Sequence, residues 1–406
     1  MGFTIGFIGA GQFAGHFINL FTLHPDVDAV YVTDVHEDRA KEHMERYGLA
    51  GTFPDADSML ASPDVDAVAI FTQRWTHGPI VVKALEAGKH VYSAVPMAIS
   101  AEEIEAIIRT VERTGLTYMM GETSFYNPAV VYARERISAG AWGRVFYSEG
   151  DYVHDMDNGF YAAYQFSGGD AWKSTASYPP MLYPTHAIGG VLGALPTHAT
   201  SVSCIGVKDD RGDGVFDSSV SMFGNDFSNM SALFHLADGG VMRTNEFRRV
   251  GHPADVHESR FRFYGTDGVM EQTSTSAAES DRKTIRDIGD LFRTKIEIDE
   301  SSEEFKNIDP ALLNSFLSGT AKVHDRSRLP RSFDGARNGH EGSHHFLADD
   351  FVRAVRDRTL PPVNAWVAAR FTLPGVVALE SARQGGERLP IPDFGDAPDS
   401  LPKASA

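Results

Sequence analysis

A glycine-rich segment near the N-terminus has the composition and spacing of a dinucleotide-binding turn. Two glycines allow a tight turn and a close approach of the backbone to a pyrophosphate, and a small third position lets the next helix pack closely on its strand. The N–H groups at the start of that helix can bind the phosphates. The segment with this pattern is Gly9-Ala10-Gly11-Gln12-Phe13-Ala14, and we expect its residues to bind a dinucleotide.

An acidic residue, Asp34, ends the second apolar run of the chain. It follows the glycine segment by about 20 residues, the distance that a ribose contact requires. A carboxylate at this position binds ribose hydroxyls and repels the 2′-phosphate of NADP, so the sequence favours NAD. His36 and Arg39 lie nearby, and basic side chains at this place favour NADP. A glycine turn without a ligand is the competing interpretation, and the strand–turn–helix context argues against it.

The first 125 residues alternate strand-like and helix-like stretches, which predicts a parallel, doubly wound Rossmann sheet. The expected strands are Phe3–Ile8, Ala29–Thr33, Val65–Phe71, His90–Ser93 and Leu116–Met120, and the expected helices are Gln12–Phe21, Glu37–Tyr47, Pro79–Ala87 and Ala101–Arg113. Ligands of such sheets bind at the carboxyl ends of the strands. We therefore expect cofactor contacts from the residues that follow two of these strands, namely Thr72, Trp75, His77 and Glu122.

A second domain, residues 126–385, is expected to be α+β with a mostly antiparallel open sheet. After a helix at Pro128–Ser138 come six strand-like runs: Val145–Asp151, Thr200–Val207, Ser218–Gly224, Met230–Leu236, Val241–Phe247 and Phe261–Gly265. Residues 271–340 are polar and are expected to form a long excursion, either an arm or a lid. Residues 345–384 return to helix, and the Pro- and Asp-rich tail at 386–406 is expected to be extended.

Charge and cysteine content narrow the class of protein. The chain has 406 residues and a formal charge of −18, which makes nucleic acid and anionic membranes unfavourable partners. Its single cysteine, Cys204, lies in an apolar run and is expected to be buried in a strand. The N-terminus lacks the features of a signal peptide, so we expect a cytoplasmic protein.

Three further segments carry a resemblance to a known family. They are Ala87–Ser100, with Ala94-Val95-Pro96 inside it, Gly143-Arg144-Val145, and Gly265-Thr266-Asp267-Gly268. With the glycine fingerprint, they resemble the Gfo/Idh/MocA superfamily of sugar-handling oxidoreductases. The resemblance implies NAD as cofactor, contacts to it from Ala94 and Pro96, and a homodimer or homotetramer that forms through the exposed face of the second sheet.

Two departures from the superfamily pattern concern its usual catalytic groups. Most members have Glu-Lys-Pro where this chain has Ala94-Val95-Pro96, and many have an Asp four residues before the catalytic His, where this chain has Leu182. An ordinary Lys/Asp/His dehydrogenase site is therefore not expected. Lys173 is a candidate to replace the missing lysine.

The segment Tyr183-Pro184-Thr185-His186 is similar to one in the NAD-dependent glycoside hydrolases of the same superfamily. That likeness implies that Tyr183 and His186 are catalytic. It also implies a redox-neutral reaction: NAD⁺ oxidises a ring carbon, a base removes the acidified C2 proton, the aglycone leaves, water adds and the hydride returns. Tyr and His are suited to such proton transfers.

Other residues are candidates for binding the sugar. They are Tyr126 and Asn127 after the last Rossmann strand, Tyr152 and His154 at the end of a strand of the second domain, and Arg248, which with Arg249 could hold an anionic group. His340, His344 and His345 have metal-like spacing, but no third ligand type is evident and no metal is expected. The competing functions are an NAD-dependent sugar or cyclitol dehydrogenase and a non-catalytic NAD-binding regulator.

Overall fold

The computed structural model describes residues 2–253, 257–294 and 319–400. They divide into two compact units. The first comprises Met1–Pro128, Asp290–Ala369 and the chain from Phe394, and the second comprises Ala129–Gly289 and Arg370–Asp393. The chain therefore returns to the first unit at Asp290 and enters the second again at Arg370, a division that the sequence analysis did not anticipate.

The first unit contains a six-stranded sheet in the order β3-β2-β1-β4-β5-β6, with every pair of neighbouring strands parallel. The strands are β1 Phe3–Ile8, β2 Val27–Thr33, β3 Gly51–Thr52, β4 Ala67–Ile70, β5 His90–Ser93 and β6 Tyr118–Met120. The predicted Rossmann sheet is thus confirmed. The strand order reverses next to β1, and at this switch point such sheets bind ligands.

Helices connect the parallel strands, and the sequence analysis predicted all of them except the short helix Ala56–Ala61. They are α1 Ala14–Leu23, α2 Glu37–Tyr47, α3 Ala56–Ala61, α4 His77–Glu86 and α5 Ala101–Thr114. Local signals mark their ends: the Ser100 hydroxyl accepts the Glu103 N–H at 3.2 Å at the start of α5, and Gly115 ends it with φ of 67°. β4 is buried along its whole length, as expected for a strand covered on both faces.

The second unit contains a nine-stranded sheet in the order β14-β13-β12-β11-β7-β10-β9-β8-β15. Its strands are β7 Val145–Val153, β8 Ala199–Lys208, β9 Phe227–Leu236, β10 Val241–Phe247, β11 Ser259–Gly265, β12 Gly268–Gln272, β13 Ala277–Asp281, β14 Ile285–Asp287 and β15 Leu389–Pro390. β7 and β10 run parallel and the other pairs are antiparallel. The mostly antiparallel sheet is confirmed.

The remaining helices follow in chain order. They are α6 Pro128–Ser138, α7 Tyr161–Gly168, α8 Trp172–Ala176, α9 Thr185–Ala194, α10 Gly289–Phe292, α11 Ser343–Asp357 and α12 Ala365–Arg383. Helix α11 packs against α1 in the first unit, and α9 covers β7, β10 and β11 in the second. None of the helices in the described ranges is long and apolar enough to span a bilayer.

One predicted strand is wrong. Ser218–Gly224 alternates polar and apolar residues but forms consecutive turns. The Asp217 carboxylate accepts the Ser219 N–H at 2.9 Å, and the Ser221 hydroxyl accepts the Phe223 N–H at 3.2 Å. Side chains that bind the backbone two residues further on replace the ladder partners that a strand would need.

The polar stretch expected at 271–340 also differs from the prediction. Its first part adds β13 and β14 to the edge of the second sheet, and residues 295–318 lie outside the described residues. In the tail, β15 pairs with β8, so the chain is anchored there. Cys204 is buried in β8 as predicted, and burial raises the pKa of its thiol to about 12.

The outward face of the second sheet carries exposed aliphatic side chains. Ile205, Val207 and Leu233 are each more than half exposed, at 56%, 55% and 51%. They lie on neighbouring strands, where Ser203 of β8 pairs with Leu233 of β9. Homo-oligomer formation through this face stays a prediction.

Two glycines let helix α9 approach the sheet closely. A Cβ at Gly150 of β7 would lie 2.5 Å from the Ala187 carbonyl oxygen, and a Cβ at Gly190 of α9 would collide with the Phe261 ring. We therefore predict that Gly150→Ala lowers the free energy of unfolding by about 1–3 kcal/mol, measured by urea titration. Gly289→Ala is the control, because its methyl group would meet the Asp287 carboxylate at 3.2 Å and the Ala277 nitrogen at 3.7 Å, and neither distance is as short as the contact at Gly150. Equal stability of both variants would contradict this packing.

A buried histidine predicts how stability depends on pH. His324 accepts the Ala321 N–H at Nδ1 (3.0 Å) and donates from Nε2 to the Tyr126 carbonyl (2.8 Å). Burial lowers its pKa to about 4, whereas an unfolded histidine titrates near about 6.5. Between these values the unfolded chain binds a proton that the folded chain does not, so stability falls as pH drops through this window.

His324→Gln should therefore flatten the dependence of unfolding free energy on pH by up to about 1.4 kcal/mol per pH unit below pH 6.5. Urea unfolding at a series of pH values measures the slope. An unchanged slope in the variant would show that His324 does not remain neutral in the folded protein.

Candidate functional site

The glycine turn after β1 is shaped so that only glycine fits at its first position. Gly9 has φ of 103°, and an added Cβ would lie 2.5 Å from the Phe71 carbonyl oxygen. Its N–H donates to the Thr33 carbonyl at 2.8 Å, which ties the turn to the end of β2. A Cβ at Gly11 would meet nothing within 4 Å, so open space lies in front of the backbone there. This cradle fits a pyrophosphate, which needs close approach to main-chain N–H groups.

Asp34 lies beside the same turn. One carboxylate oxygen accepts the Ala10 N–H at 2.7 Å, and the other accepts the His36 N–H at 2.8 Å. The backbone therefore orients the carboxylate at the carboxyl end of β2. Each oxygen retains a second lone pair for a ribose hydroxyl. The residues present thus fit a dinucleotide, with Asp34 as the group that would bind the ribose.

The loops after β4 and β5 are joined by His77. Its Nδ1 donates to the Pro96 carbonyl at 2.7 Å, and its Nε2 lies 3.2 Å from the Thr72 carbonyl. Burial lowers the pKa of His77, while the Pro96 and Thr72 carbonyls act in the opposite direction. In the same region, the Ala94 N–H donates to Ile70 at 2.9 Å. The structure therefore brings the predicted residues Thr72, His77, Ala94 and Pro96 together, with His77 buried behind the loops.

Other predicted residues of the first unit are held by side chains that the sequence analysis missed. Trp75 lies in a short 3-10 helix, and buried Glu122 accepts the Ser124 N–H at 2.7 Å. The Tyr126 hydroxyl donates to the Asp350 carboxylate, and the Asn127 amide donates to the Glu341 carboxylate. Asp350 and Glu341 come from a distant part of the chain, so no local sequence pattern could predict these contacts.

In the second unit, Tyr183 and His186 form a hydrogen-bonded pair. The Tyr183 hydroxyl lies 3.2 Å from His186 Nε2. His186 is 3% exposed, whereas Tyr183 is half-buried. Pro184 precedes the first turn of α9, and the Tyr183 N–H donates to the Pro180 carbonyl at 3.0 Å. The local turn thus places both side chains at the start of one helix, as their spacing predicts.

Tyr152 and His154 adjoin this pair. The Tyr152 ring centre lies 4.7 Å from that of His186, and its hydroxyl lies 3.2 Å from His154 Nδ1. The same Nδ1 is 3.1 Å from the Glu258 carboxylate, and the His154 ring stacks on Phe160 at 3.9 Å. Burial raises the pKa of Tyr152 well above its usual range, so its hydroxyl stays protonated.

Arg248 lies beneath this group and not in solvent. Its guanidinium is 4.8 Å from the Tyr152 ring centre and pairs with buried Glu246 at 2.8 Å. Arg249 pairs with Asp209 at 3.1 Å and Asp213 at 3.0 Å. Because both arginines are matched by carboxylates of the chain, they give no support to an anionic substrate. A substrate contact from Arg248 stays a prediction.

Lys173 is an exposed residue of α8. It donates to the Asp213 carbonyl at 2.8 Å. Its catalytic role stays a prediction.

Glu258, Glu246 and Phe160 are the residues of this site that sequence reasoning missed. Glu246 of β10 precedes Arg248, the first residue after that strand, by two residues. This spacing places both side chains on one face of extended chain and could have indicated the ion pair. Phe160 returns to His154 through the helical turn Met156–Phe160, whereas Glu258 reaches His154 through tertiary folding.

The position of Asp34 generates a prediction about cofactor choice. Asp34→Asn should weaken NAD⁺ binding about tenfold, because the charged acceptor for the ribose is lost, and should narrow the preference for NAD⁺ over NADP⁺. Fluorescence titration of both nucleotides measures the two dissociation constants. Asp38→Asn, the same charge change at an exposed site of α2, is the matched control. Unchanged discrimination in Asp34→Asn would contradict the assignment.

Comparison with known proteins agrees with this geometry. A family model described as an oxidoreductase family with an NAD-binding Rossmann fold, Gfo/Idh/MocA, matches residues 3–122. A glycosyl hydrolase family 109 protein of Bacteroides fragilis is 35% identical over 152 residues, which cover 36% of each chain. The scyllo-inositol 2-dehydrogenase of Bacillus subtilis is 34% identical over 135 residues, 33% of this chain and 40% of the relative. The matched segments thus span less than half of either relative.

Among solved structures, a levoglucosan dehydrogenase in complex with NADH and levoglucosan has a TM-score of 0.72 and 18% identity, covering 97% of this chain and 100% of that one. The likeness extends the shared fold to both units. The glycine cradle, the position of Asp34 and the family match agree: residues 3–122 are similar to the NAD-binding Rossmann domain of the Gfo/Idh/MocA oxidoreductase family.

Proposed function

We propose that this protein is an NAD-dependent glycosidase that cleaves a sugar glycoside without net oxidation or reduction. The observation that carries the proposal is the hydrogen-bonded pair of Tyr183 and His186 in a Tyr-Pro-Thr-His segment. The names of relatives support it: besides the Bacteroides protein, an α-N-acetylgalactosaminidase of Shewanella oneidensis is 28% identical over 198 residues.

The reaction balances without an external oxidant. Bound NAD⁺ would supply the acceptor for a hydride from C3 of the sugar and its later return. A ketone at C3 acidifies the C2–H bond. Removal of that proton and departure of the aglycone leave an enone, and water then adds at C1 while C2 regains a proton. The protein's own residues must therefore move protons twice and must exclude competing reactions.

Tyr183 and His186 have different tasks in this proposal because their exposure differs. Half-buried Tyr183 meets the substrate, while His186 lies behind it and accepts the hydroxyl proton at Nε2. Transfer of that proton generates a phenolate that can act as the base, and its return makes Tyr183 an acid. In this scheme Tyr183 is the acid–base group that contacts the substrate, and buried His186 activates it, as adjacent bases activate other catalytic side chains.

Tyr152 and His154 are proposed to bind the sugar. Protonated Tyr152 can donate to a sugar oxygen or to His154, and the Phe160 stack fixes the imidazole. Arg248 is a positioning residue in this scheme, because it lies against the face of the Tyr152 ring and pairs with Glu246.

A dehydrogenase that releases NADH is the second candidate. The inositol dehydrogenase of B. subtilis matches the same part of the chain at similar identity, and the levoglucosan dehydrogenase shares the fold. Stoichiometric NADH accumulation with an intact glycosidic bond would favour this candidate. The absence of a lysine between Ala94 and Pro96 argues for the glycosidase.

The decisive experiment follows turnover of a glycoside panel in D₂O with catalytic NAD⁺, using both anomers. We predict aglycone release, deuterium at C2 of the product by NMR, and no build-up of NADH. Release without C2 deuteration would contradict the elimination step.

Substitution tests the residue roles. Tyr183→Phe and His186→Ala should each lower turnover by about 10²–10⁴-fold, because proton transfer is lost, while NAD⁺ affinity is unchanged. Tyr147→Phe and His235→Ala, on the outward face of the second sheet, are matched controls that should keep the wild-type rate. Near-native turnover of either active-site variant would refute the assignment.

A further inference from the structure

A histidine of helix α2 is hydrogen-bonded to the backbone of the glycine turn. Nε2 of His43 lies 3.2 Å from the carbonyl oxygen of Ala10, the residue between the two glycines, although the two residues are 33 positions apart in the sequence. A carbonyl oxygen only accepts hydrogen bonds, so Nε2 carries the proton and donates it. Both residues are buried: His43 is 8% exposed and Ala10 is 3% exposed. The hydrogen bond therefore ties the turn to α2 inside the protein.

Packing from both sides fixes the imidazole of His43. The Tyr47 ring, one turn further along α2, stacks on it with the ring centres 5.7 Å apart and the planes 11° from parallel. On the side of α1, a Cβ at Gly15 would lie 3.0 Å from His43 Cε1, so the glycine leaves the space that the imidazole fills. Nδ1 of His43 is buried as well. The side chain is thus enclosed by protein, and its effect on a ligand must pass through the turn.

Two hydrogen bonds hold the peptide units on either side of Ala10. The Ala10 N–H donates to the Asp34 carboxylate at 2.7 Å, and the Ala10 carbonyl accepts from His43. The peptide bond between Ala10 and Gly11 is trans, so the Gly11 N–H points in the opposite direction from the Ala10 carbonyl. His43 thereby directs the Gly11 N–H away from the buried side of the turn. Gly11 is itself partly exposed, and open space lies in front of it.

We propose that His43 is a positioning residue for the cofactor: it holds the peptide unit between Ala10 and Gly11 in the orientation in which the Gly11 N–H can donate to a pyrophosphate oxygen. Without this donor, the Ala10 carbonyl loses a buried partner, and the peptide unit is free to rotate toward water. Only a fraction of the molecules then has the binding orientation, and the apparent affinity falls by that fraction. The proposal rests on the cofactor part of the proposed function and not on the glycosidase chemistry.

Two substitutions of similar size separate the hydrogen bond from packing. His43→Gln keeps a side-chain N–H donor, whereas His43→Met has none. Both lose the ring that stacks on Tyr47, so the loss of packing is common to the two variants. The difference between them therefore reports the hydrogen bond to Ala10.

The test measures binding in the absence of any glycoside. Calorimetric titration gives the dissociation constants of NAD⁺ and ADP-ribose, which contain the pyrophosphate, and of adenosine, which does not. We expect His43→Met to bind NAD⁺ and ADP-ribose about five- to tenfold more weakly than His43→Gln, and both variants to bind adenosine equally. Glu45→Gln and Glu45→Met, the same pair of side chains at an exposed site of α2, are the control and should bind NAD⁺ equally.

Equal affinity of His43→Gln and His43→Met for NAD⁺ would overturn the proposal, because packing alone would then explain the histidine. A loss in His43→Met that is as large for adenosine as for NAD⁺ would overturn it in favour of a general deformation of the first unit. Both results leave the proposed function intact. Failure of the wild-type protein to bind either NAD⁺ or ADP-ribose would overturn the proposal together with the assignment of the cofactor.

Discussion

The first unit depends on the burial of aromatic side chains between its sheet, helix α1 and helix α11. The Phe351 ring of α11 lies 6.1 Å from Phe21 and 5.7 Å from Tyr92, and Phe3 of β1 is 6.4 Å away. Truncation of one such buried ring typically costs about 3–5 kcal/mol, a large part of the stability of a domain. This packing brings a segment more than 300 residues from the N-terminus onto the cofactor domain. The start of α11 is thereby placed near the glycine turn, where the His344 ring centre lies 5.5 Å from that of Phe13.

The buried carboxylates of α11 are paired with basic and hydroxyl side chains. Asp349 accepts from Arg328 at 2.6 Å and from Arg353 at 2.8 Å, while Asp350 binds Arg328 and the Tyr126 hydroxyl. Burial raises the pKa of Asp350, and the Arg328 guanidinium opposes that shift. A buried pair of this kind contributes little net stability, but loss of one partner is costly because the other charge remains. The network therefore specifies where α11 docks more than it strengthens the docking.

In the second unit, small residues position a helix on its sheet. Gly150 and Gly190 allow α9 to lie directly on the sheet, so that the first turn of α9 is held beside the end of β7. Tyr183 and His186 come from the helix start and Tyr152 from the strand, and their rings meet at 4.7–6.1 Å. Arg248 and Glu246 support Tyr152 from β10, the strand that pairs with β7 in parallel. The site thus relies on rigid elements, which suits groups that must exchange protons at defined distances.

The sequence alone determined the features whose physical causes are local. Hydrophobic periodicity predicted the parallel sheet and most of the second one, and the spacing from Gly9 to Asp34 predicted a dinucleotide site, because turn, helix start and strand end are set by neighbouring residues. Ser218–Gly224 shows where this fails: the pattern of a strand is present, but side chains bind the backbone locally and no ladder forms.

Tertiary structure decided which distant residues meet. It paired Tyr126 with Asp350 and Asn127 with Glu341, placed Arg248 against the Tyr152 ring, and brought His340 to Phe13. These contacts form because whole helices and strands pack together. The packing energy is a sum over many side chains, so no short sequence motif predicts it. A local pattern can therefore predict the chemistry of the turn and of the Tyr-Pro-Thr-His segment, whereas the partners that orient, neutralise or bury those groups follow only from the folded chain.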